Sequence, residues 1–379
     1  MNDPRPRIAH VITNLGDGGA EGVLYRLCNH DDRFDHVVIS LMGEGRYAEY
    51  LRKIGVPVHC LEMPRGRVTL SGLRKLRALL KDSRPDAVQT WMYHGDLLGG
   101  IAARLAGIRN VVWGVRHGEP LKGRTTGTTI AIAHICARLS RVVPRAITCC
   151  SRHACSIHVK MGYCENKMRV IPNGYDTDQL RPDEQQRARF REEIGAKDDI
   201  PIIGMVARYN AQKDHRNLFR ALALLERSEI TFRCILIGTD MTAENTVLKA
   251  EIERFGLVDK LVLLGPRTDI PTIMNGLDLH VLSSRSEGFP NVVAEAMSCT
   301  TPCVVTDAGD AGLIVGDAGW VVPPSNPDAL ANAIGSALAL RRDADEWQVR
   351  RDACRSRIVA KFGVGAMVEA FEDCWMEAV

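Results

Sequence analysis

Short runs of β-branched residues alternate with amphipathic helical stretches along most of the chain, and the series runs through twice. Few features narrow the possible folds as much. In the first series, strands are expected at Arg7–Thr13, His36–Leu41, Val56–Cys60, Ala87–Thr90, Val111–Val115, Ala146–Cys149 and Arg169–Ile171. Helical stretches such as Gly19–Asn29, Leu70–Lys81 and Leu97–Leu105 lie between them. Val111, Val112 and Trp113 are apolar on both faces, as in a parallel sheet covered by helices on each side. A polar connector and surface helix (173–200) follow, and the pattern restarts at Ile202–Ala207, Phe232–Ile237, Leu261–Leu264, Leu279–Leu282 and Cys303–Thr306. From Asp328 onward the text is helical, with Trp347 and Trp375 available as anchors.

Two such series in 379 residues imply an α/β protein of two facing, Rossmann-like, doubly wound domains, with a cleft between the carboxyl ends of two parallel sheets. The expected division is 1–180 for the first domain, 181–355 for the second, and 356–379 for a C-terminal helix crossing back to the first.

Composition excludes several classes. With 45% hydrophobic and 25% charged residues, the chain is neither disordered nor fibrous. No apolar run is long enough to span a bilayer and the N-terminus lacks a signal-peptide core, so a cytoplasmic protein is expected. The twelve cysteines form no C-x-x-C; Cys149, Cys150, Cys299 and Cys303 read as buried thiols packed as small apolar residues. The eleven histidines fall in no metal-ligand spacing, so no metal site is expected.

The net charge of +3 conceals an asymmetry. Residues 1–180 carry 26 Lys and Arg against 16 Asp and Glu; the remainder carries 23 against 30. A basic first half suits an anionic partner such as a membrane surface, a phosphate-bearing substrate or nucleic acid, or is a solvated basic face. Arg65, Arg67, Arg74, Lys75, Arg77 and Lys81 gather on or beside one helix, whose other face carries Leu73, Leu76, Leu79 and Leu80. Such a helix either lies against an anionic bilayer or packs on its own sheet.

The chemistry is expected in loops that leave strand ends. Gly18 and Gly19, in Asn14–Gly22, let backbone approach a ligand, and the following helix directs its positive pole there. The loop is neither G-x-G-x-x-G nor a P-loop, which argues against NAD and ATP. Arg208 leaves a strand and Lys213 precedes a helix beginning near Asp214; a guanidinium fork and an ammonium suit a diphosphate. In 283–310, Glu287, Gly288, Phe289 and Pro290 form a polar loop entering a helix, with the backbone N–H groups from Gly288 to Val292 available to an anion or hydroxyls. Glu295 follows eight residues after Glu287, so one carboxylate in the loop and one on the helix could grip a polyhydroxylated ligand. His117 and His94 each follow a predicted strand and suit hydrogen bonding to substrate.

Together these segments resemble the retaining glycosyltransferases of family 4, which have the GT-B fold. The resemblance rests on LGDGGAE, TWMYHGDLLGG, WGVRHG, RVIPNGYD, GMVARYNAQKDHRNL, SEGFPNVVAEAM and VTDAGDAGLIVGDAGWVVPP, in order over nearly the whole chain. The WMYH and VRHG text is similar to the bacterial branch that builds lipopolysaccharide and exopolysaccharide. The resemblance implies that Arg208 and Lys213 hold the donor diphosphate and that Glu287 binds donor-sugar hydroxyls. It further implies that the backbone N–H groups of Phe289, Asn291 and Val292 contact sugar and phosphate, and that Glu295 binds the ribose. Gly18 and Gly19 would approach the phosphates, His117 would lie near the transferred sugar, and the base would rest near Arg267–Ile270. One departure is Leu313, which stands where many members carry Glu.

The implied activity is metal-independent transfer of a hexose-type sugar from a UDP- or GDP-linked donor to a glycan or polyprenyl-linked acceptor, with no cofactor. Peripheral contact with an anionic membrane on the inner face of the plasma membrane is compatible; nucleic acid is not an expected partner. A sugar-nucleotide epimerase of the same architecture and a non-catalytic nucleotide-sugar-binding protein are the alternatives.

Overall fold

A computed structural model describes residues 5–16, 18–64, 69–116, 126–197 and 199–376. The chain divides into two compact units, Met1–Gly174 with Val364–Val379, and Tyr175–Gly363. The passages between units therefore fall at 174/175 and 363/364, rather than near 180 and 355. The polar text after Tyr175 packs with the second unit, where the Arg355 guanidinium donates to the carbonyls of Thr177 and Leu180 at 2.9 Å each. One helix, Ala344–Phe362, runs unbroken through the expected second boundary.

The first unit is built on seven parallel strands: β1 Arg7–Ile12, β2 Asp35–Ser40, β3 Val58–Cys60, β4 Ala87–Trp91, β5 Val111–Val115, β6 Ala146–Cys149 and β7 Met168–Val170. Their order is β3-β2-β1-β4-β5-β6-β7. The second unit has six: β8 Ile202–Val206, β9 Arg233–Ile237, β10 Leu261–Leu263, β11 Leu279–Leu282, β12 Cys303–Thr306 and β13 Trp320–Val322, ordered β10-β9-β8-β11-β12-β13. Both sheets are parallel and doubly wound, as the apolar runs require. Both reverse direction once, between β1 and β4 and between β8 and β11. Ligands in open α/β sheets bind outside the carboxyl ends of strands at such reversals.

Buried strand residues from both sheet faces meet helices to form the cores. In the second unit, Met205, Leu236 and Val281 pack with Leu218, Leu222 and Leu330. Trp347 is buried in that core. Trp375, on the helix Val364–Met376, is buried in the first unit with Phe371 against β1 and β4 residues. The text from Asp328 to Met376 is thus three helices, Pro327–Leu340, Ala344–Phe362 and Val364–Met376, serving two different cores.

The strand the sequence reading lacks is β13, a three-residue, partly exposed edge strand between Gly319 and Pro323. The helix expected at Leu97–Leu105 begins at Met92 instead, directly after β4, with Met92 in the left-handed region at φ 66°. All twelve cysteines are free thiols, nine of them buried.

Candidate functional site

The reversal point of the second sheet is flanked by the loops leaving β8 and β11. These loops carry Arg208, Lys213 and Glu287. The loop after β8 is shaped by Asn210, whose side-chain oxygen accepts from the N–H groups of Gln212 (3.0 Å) and Lys213 (3.1 Å). It is tied to the neighbouring loop at two points. The Arg285 N–H donates to the Gln212 carbonyl at 2.7 Å, and the Ser283 hydroxyl donates to the Lys213 carbonyl at 2.9 Å. Asp214, left-handed at φ 47°, ends the loop and holds Arg285 in a two-pronged ion pair.

Within this frame the Lys213 ammonium sits 2.6 Å from Glu287 Oε1, with both side chains largely shielded from water. The Ser284 hydroxyl donates to the same oxygen at 2.5 Å. Ser284 is itself fixed by the Thr306 hydroxyl, which donates to its carbonyl at 2.6 Å. Arg208 is exposed. Two cations and an oriented carboxylate thus stand at one sheet reversal, a set able to receive a ligand with negative charge and hydroxyls.

Gly309 supports the Glu287 loop from beneath. It adopts φ 61°, and a Cβ there would lie 2.5 Å from the Glu287 carbonyl oxygen and 2.6 Å from that of Gly288. The next residue, Asp310, donates its N–H to the Gly288 carbonyl at 3.1 Å. Phe289 is buried, and Pro290 caps the helix Asn291–Ser298 in extended conformation. Asn291 and Val292 occupy that helix's first turn, where backbone N–H groups lack intrahelical acceptors. Glu295, half-buried, lies one turn further on.

Arg267 is held by two carboxylates. Its guanidinium forks onto Asp269 at 2.8 and 2.6 Å and also pairs with Glu193, and these bonds raise its pKa. The loop expected to meet a base therefore presents a cation already saturated by carboxylates.

Two buried histidines face Lys213. His215 and His280 are each pushed down to about 3, first by burial and then by the Lys213 charge.

In the first unit, Gly18 caps the helix Gly19–His30 in extended conformation, and Gly19 is exposed at its start. They follow β1, beside the reversal between β1 and β4. His94 is half-buried on the helix after β4, its pKa lowered by burial. His117, Arg65 and Arg67 lie outside the described residues. Arg116, at the end of β5, packs its guanidinium over the rings of Trp91 (5.0 Å) and Phe371 (5.3 Å) and donates to Asn173 at 3.1 Å.

Two family matches divide the sequence between the same two units. Residues 17–179 match the family described as Glycosyltransferase Family 4, and residues 186–351 match Glycosyl transferases group 1. The chain belongs to the family 4-like glycosyltransferases of the GT-B fold. This glycosyltransferase is 29% identical over 360 residues to the UDP-Gal:alpha-D-GlcNAc-diphosphoundecaprenol alpha-1,3-galactosyltransferase of Escherichia coli, covering 92% of this chain and 90% of the relative. It is 26% identical to the putative glycosyltransferase EpsF of Bacillus subtilis, covering 98% and 97%. Among solved structures, Anabaena HepE in complex with UDP-glucose superposes with a TM-score of 0.83 at 21% identity, over 98% of this chain and all of that one.

The sequence of this glycosyltransferase gave no sign of one further cluster. Ligand atoms of His10, Cys28 and His36, all buried, lie within 4.8 Å of one another. The Trp91 indole N–H reaches His10 Nδ1 at 3.3 Å, so Nδ1 is the acceptor and Nε2 carries the proton. That proton points at His36 Nδ1, 2.9 Å away, and His36 Nε2 faces Asp31 at 3.2 Å. The result is a hydrogen-bonded link from Trp91 through His10 to His36, with the Asp31 carboxylate close to the far nitrogen of His36. A metal ion would need the His10 nitrogen that Trp91 forces to be protonated, so the geometry does not fit one.

Ser284, Gly309 and Tyr175 are the site residues that sequence reasoning missed. Their contacts join segments up to 187 residues apart (Tyr175 with Phe362); Tyr175 and Gly309 stand in RVIPNGYD and VTDAGD and Ser284 in the loop text before Glu287, but none of the three carries a charge or spacing that marks its role. Among the described residues no helix is long and apolar enough to cross a membrane.

Proposed function

We propose that this glycosyltransferase moves a hexose-type sugar, with retention of configuration, from a UDP- or GDP-linked donor to a glycan or polyprenyl-linked acceptor in bacterial surface-polysaccharide synthesis. The observation that carries this reading is the Lys213–Glu287 pair at the sheet reversal, with Arg208 on the same loop. The donor diphosphate meets Arg208, Lys213 and the first turn of the helix Asn291–Ser298, while Glu287 and Glu295 bind sugar and ribose hydroxyls. In the same reading Gly18 and Gly19 are contacts of the donor phosphates and His117 is a contact of the transferred sugar. The Escherichia coli relative, whose name specifies UDP-galactose and a diphosphoundecaprenol-linked acceptor, supports the substrate classes.

In this reading the sugar–phosphate bond loosens toward an oxocarbenium-like transition state as charge grows on the diphosphate. Cations aimed at that charge act in the transition state and stabilise it by about 3 kcal/mol per well-placed donor. The two cations take the place of a divalent ion. The acceptor attacks from the face the nucleotide leaves, and the departing phosphate takes the acceptor's proton.

The helix Leu70–Ser83 exposes Arg74, Lys75, Arg77 and Lys81 while burying Leu76 and Leu80. That leucine face, with Leu73 and Leu79, packs into the first unit's own core, the second of the two alternatives for this helix, so only the four exposed cations support peripheral attachment to the inner face of the plasma membrane. Pelleting of the purified protein with anionic liposomes at low salt is expected; failure to pellet removes that part of the reading.

The donor is tested by thermal-shift titration in EDTA with UDP, GDP, ADP and their sugar conjugates. A stabiliser present at about 100 times its dissociation constant adds about 2.7 kcal/mol. A shift with UDP or GDP compounds is expected, and none with either would sink the donor assignment. Product analysis with and without acceptor separates transfer from epimerisation and from simple binding.

A further inference from the structure

Phe289 and Asn291, either side of Pro290, are both held by one residue more than a hundred positions away. The ring of Tyr175 stacks on Phe289, with centroids 6.5 Å apart and planes within 18°. Its hydroxyl lies 2.7 Å from Asn291 Oδ1 and donates to it. Phe362 meets the same Phe289 ring edge-on, at 5.7 Å and 65°. The Tyr175 N–H donates to the Phe362 carbonyl at 2.9 Å, and Tyr175 forms a parallel bridge with Gly363. Tyr175 opens the second unit and Gly363 closes it, so this cluster joins both points at which the chain passes to the first unit.

We propose that Tyr175 is a positioning residue for the donor loop 287–292: its hydroxyl sets the Asn291 side chain, and its ring fixes Phe289 between the two chain passages. The proposal rests on the reading of that loop as the nucleotide-sugar site. Tyr175 is fully buried, and a buried phenol requires a partner. The partner here is the first residue of the helix whose N-terminus faces the ligand. With Oδ1 accepting from the phenol, the Asn291 amide has one orientation rather than two. Phe289 is pinned on two sides by rings that are themselves tied backbone to backbone. A ligand that moves Phe289 or Asn291 therefore moves the chain at 175 and 362 as well.

The test is Tyr175→Phe in the full-length protein, which keeps the ring and the backbone bond and removes only the hydroxyl. Hydrogen–deuterium exchange without nucleotide is expected to quicken over 287–298, while β8 and β12 exchange as in the wild type. The dissociation constant of whichever of UDP or GDP the wild type binds is expected to rise about three- to tenfold, the worth of one neutral hydrogen bond. Tyr175→Leu, which also removes the stacking ring, is expected to extend the faster exchange to 360–363. Unchanged exchange over 287–298 in Tyr175→Phe overturns the proposal. So does a uniform increase across all strands, which marks a purely structural role. If the wild type binds neither nucleotide, the donor reading fails by itself, and the exchange comparison still decides whether Tyr175 positions the loop.

Discussion

Lys213 Nζ lies 2.6 Å from Glu287 Oε1, joining residues 74 positions apart across the reversal of the second sheet. The carboxylate oxygen is shared with the Ser284 hydroxyl, so Lys213 is one of two donors orienting Glu287. A diphosphate arriving beside Lys213 competes with Glu287 for the ammonium. Lys213→Ala is expected to lower turnover by about a hundredfold or more, with a smaller effect on donor affinity, because the cation acts mainly on charge that develops in the transition state. Arg208→Ala should behave alike. Equal losses in turnover and in donor affinity, measured by steady-state kinetics and calorimetry, would contradict this. The double variant Lys213→Ala/Glu287→Gln should lose less than the sum of the singles, since the two groups contact each other.

Gly309 is irreplaceable for a different reason. Alanine there takes on a left-handed backbone cost of about 1–2 kcal/mol and drives its Cβ into two backbone carbonyls, which cannot rotate aside as a side chain would. Gly309→Ala should destabilise the second unit by about 2–4 kcal/mol in urea unfolding. The residual activity of the folded fraction should also fall, because the displaced carbonyls belong to Glu287 and Gly288. Wild-type kcat in a destabilised variant would show that the loop absorbs the methyl without moving Glu287.

The alternation of strands and helices was legible because fully buried parallel strands must be short, apolar and β-branched, and both series have that form. Twelve of the thirteen strands were found, with ends displaced by a residue or two, and Val111–Val115, Leu279–Leu282 and Cys303–Thr306 were placed as they stand. The loops holding Arg208, Lys213 and Glu287 were also legible, since a cation or carboxylate just past a strand has a definite place in this topology. The clamp around Glu287 was not. Ser284 and Gly309 act through a three-residue loop contact and a left-handed turn, and neither leaves a periodic trace. The division of the chain was displaced because 175–183 is polar, like a linker, yet its backbone is bonded into the second unit at Asn275 and Arg355. Arg267 was legible as a cation, but Glu193, which shares it, lies on a distant helix.

Acid should unfold the second unit in a defined window. His215 and His280 have folded pKa values of about 3 against an ordinary 6.5, because burial and then Lys213 disfavour their charged forms. Between those values the unfolded chain binds more protons than the folded one. Stability is therefore complete above pH 6.5 and is lost as pH falls toward 3. At pH 5 the two histidines should together remove roughly 4 kcal/mol relative to neutral pH. His215→Phe, next to Tyr209 and Phe219, removes one of the two and should roughly halve that dependence. Urea unfolding between pH 4.5 and 7.5 measures it, and an unaltered slope in the variant would show that His215 does not resist protonation.

Asp96 reverses the sign. Burial raises its pKa to about 7 from an ordinary 3.8, against the opposing pull of the Thr90 hydroxyl, the Gly114 N–H and Arg116. Here the folded chain holds the extra proton between those values, so Asp96 lowers stability as pH rises from 3.8 to 7, and the whole cost is present above 7. Thr90 and Gly114 both donate to Oδ1, at 2.5 and 3.0 Å, an arrangement that an amide oxygen can keep. Asp96→Asn should therefore retain those bonds while removing the buried charge. The variant is expected to gain on the wild type by at most about 3 kcal/mol between pH 5 and pH 8. Thermal unfolding at the two pH values provides the comparison. Parallel behaviour of the two proteins would mean that Asp96 is ionised throughout and that Arg116 compensates its charge.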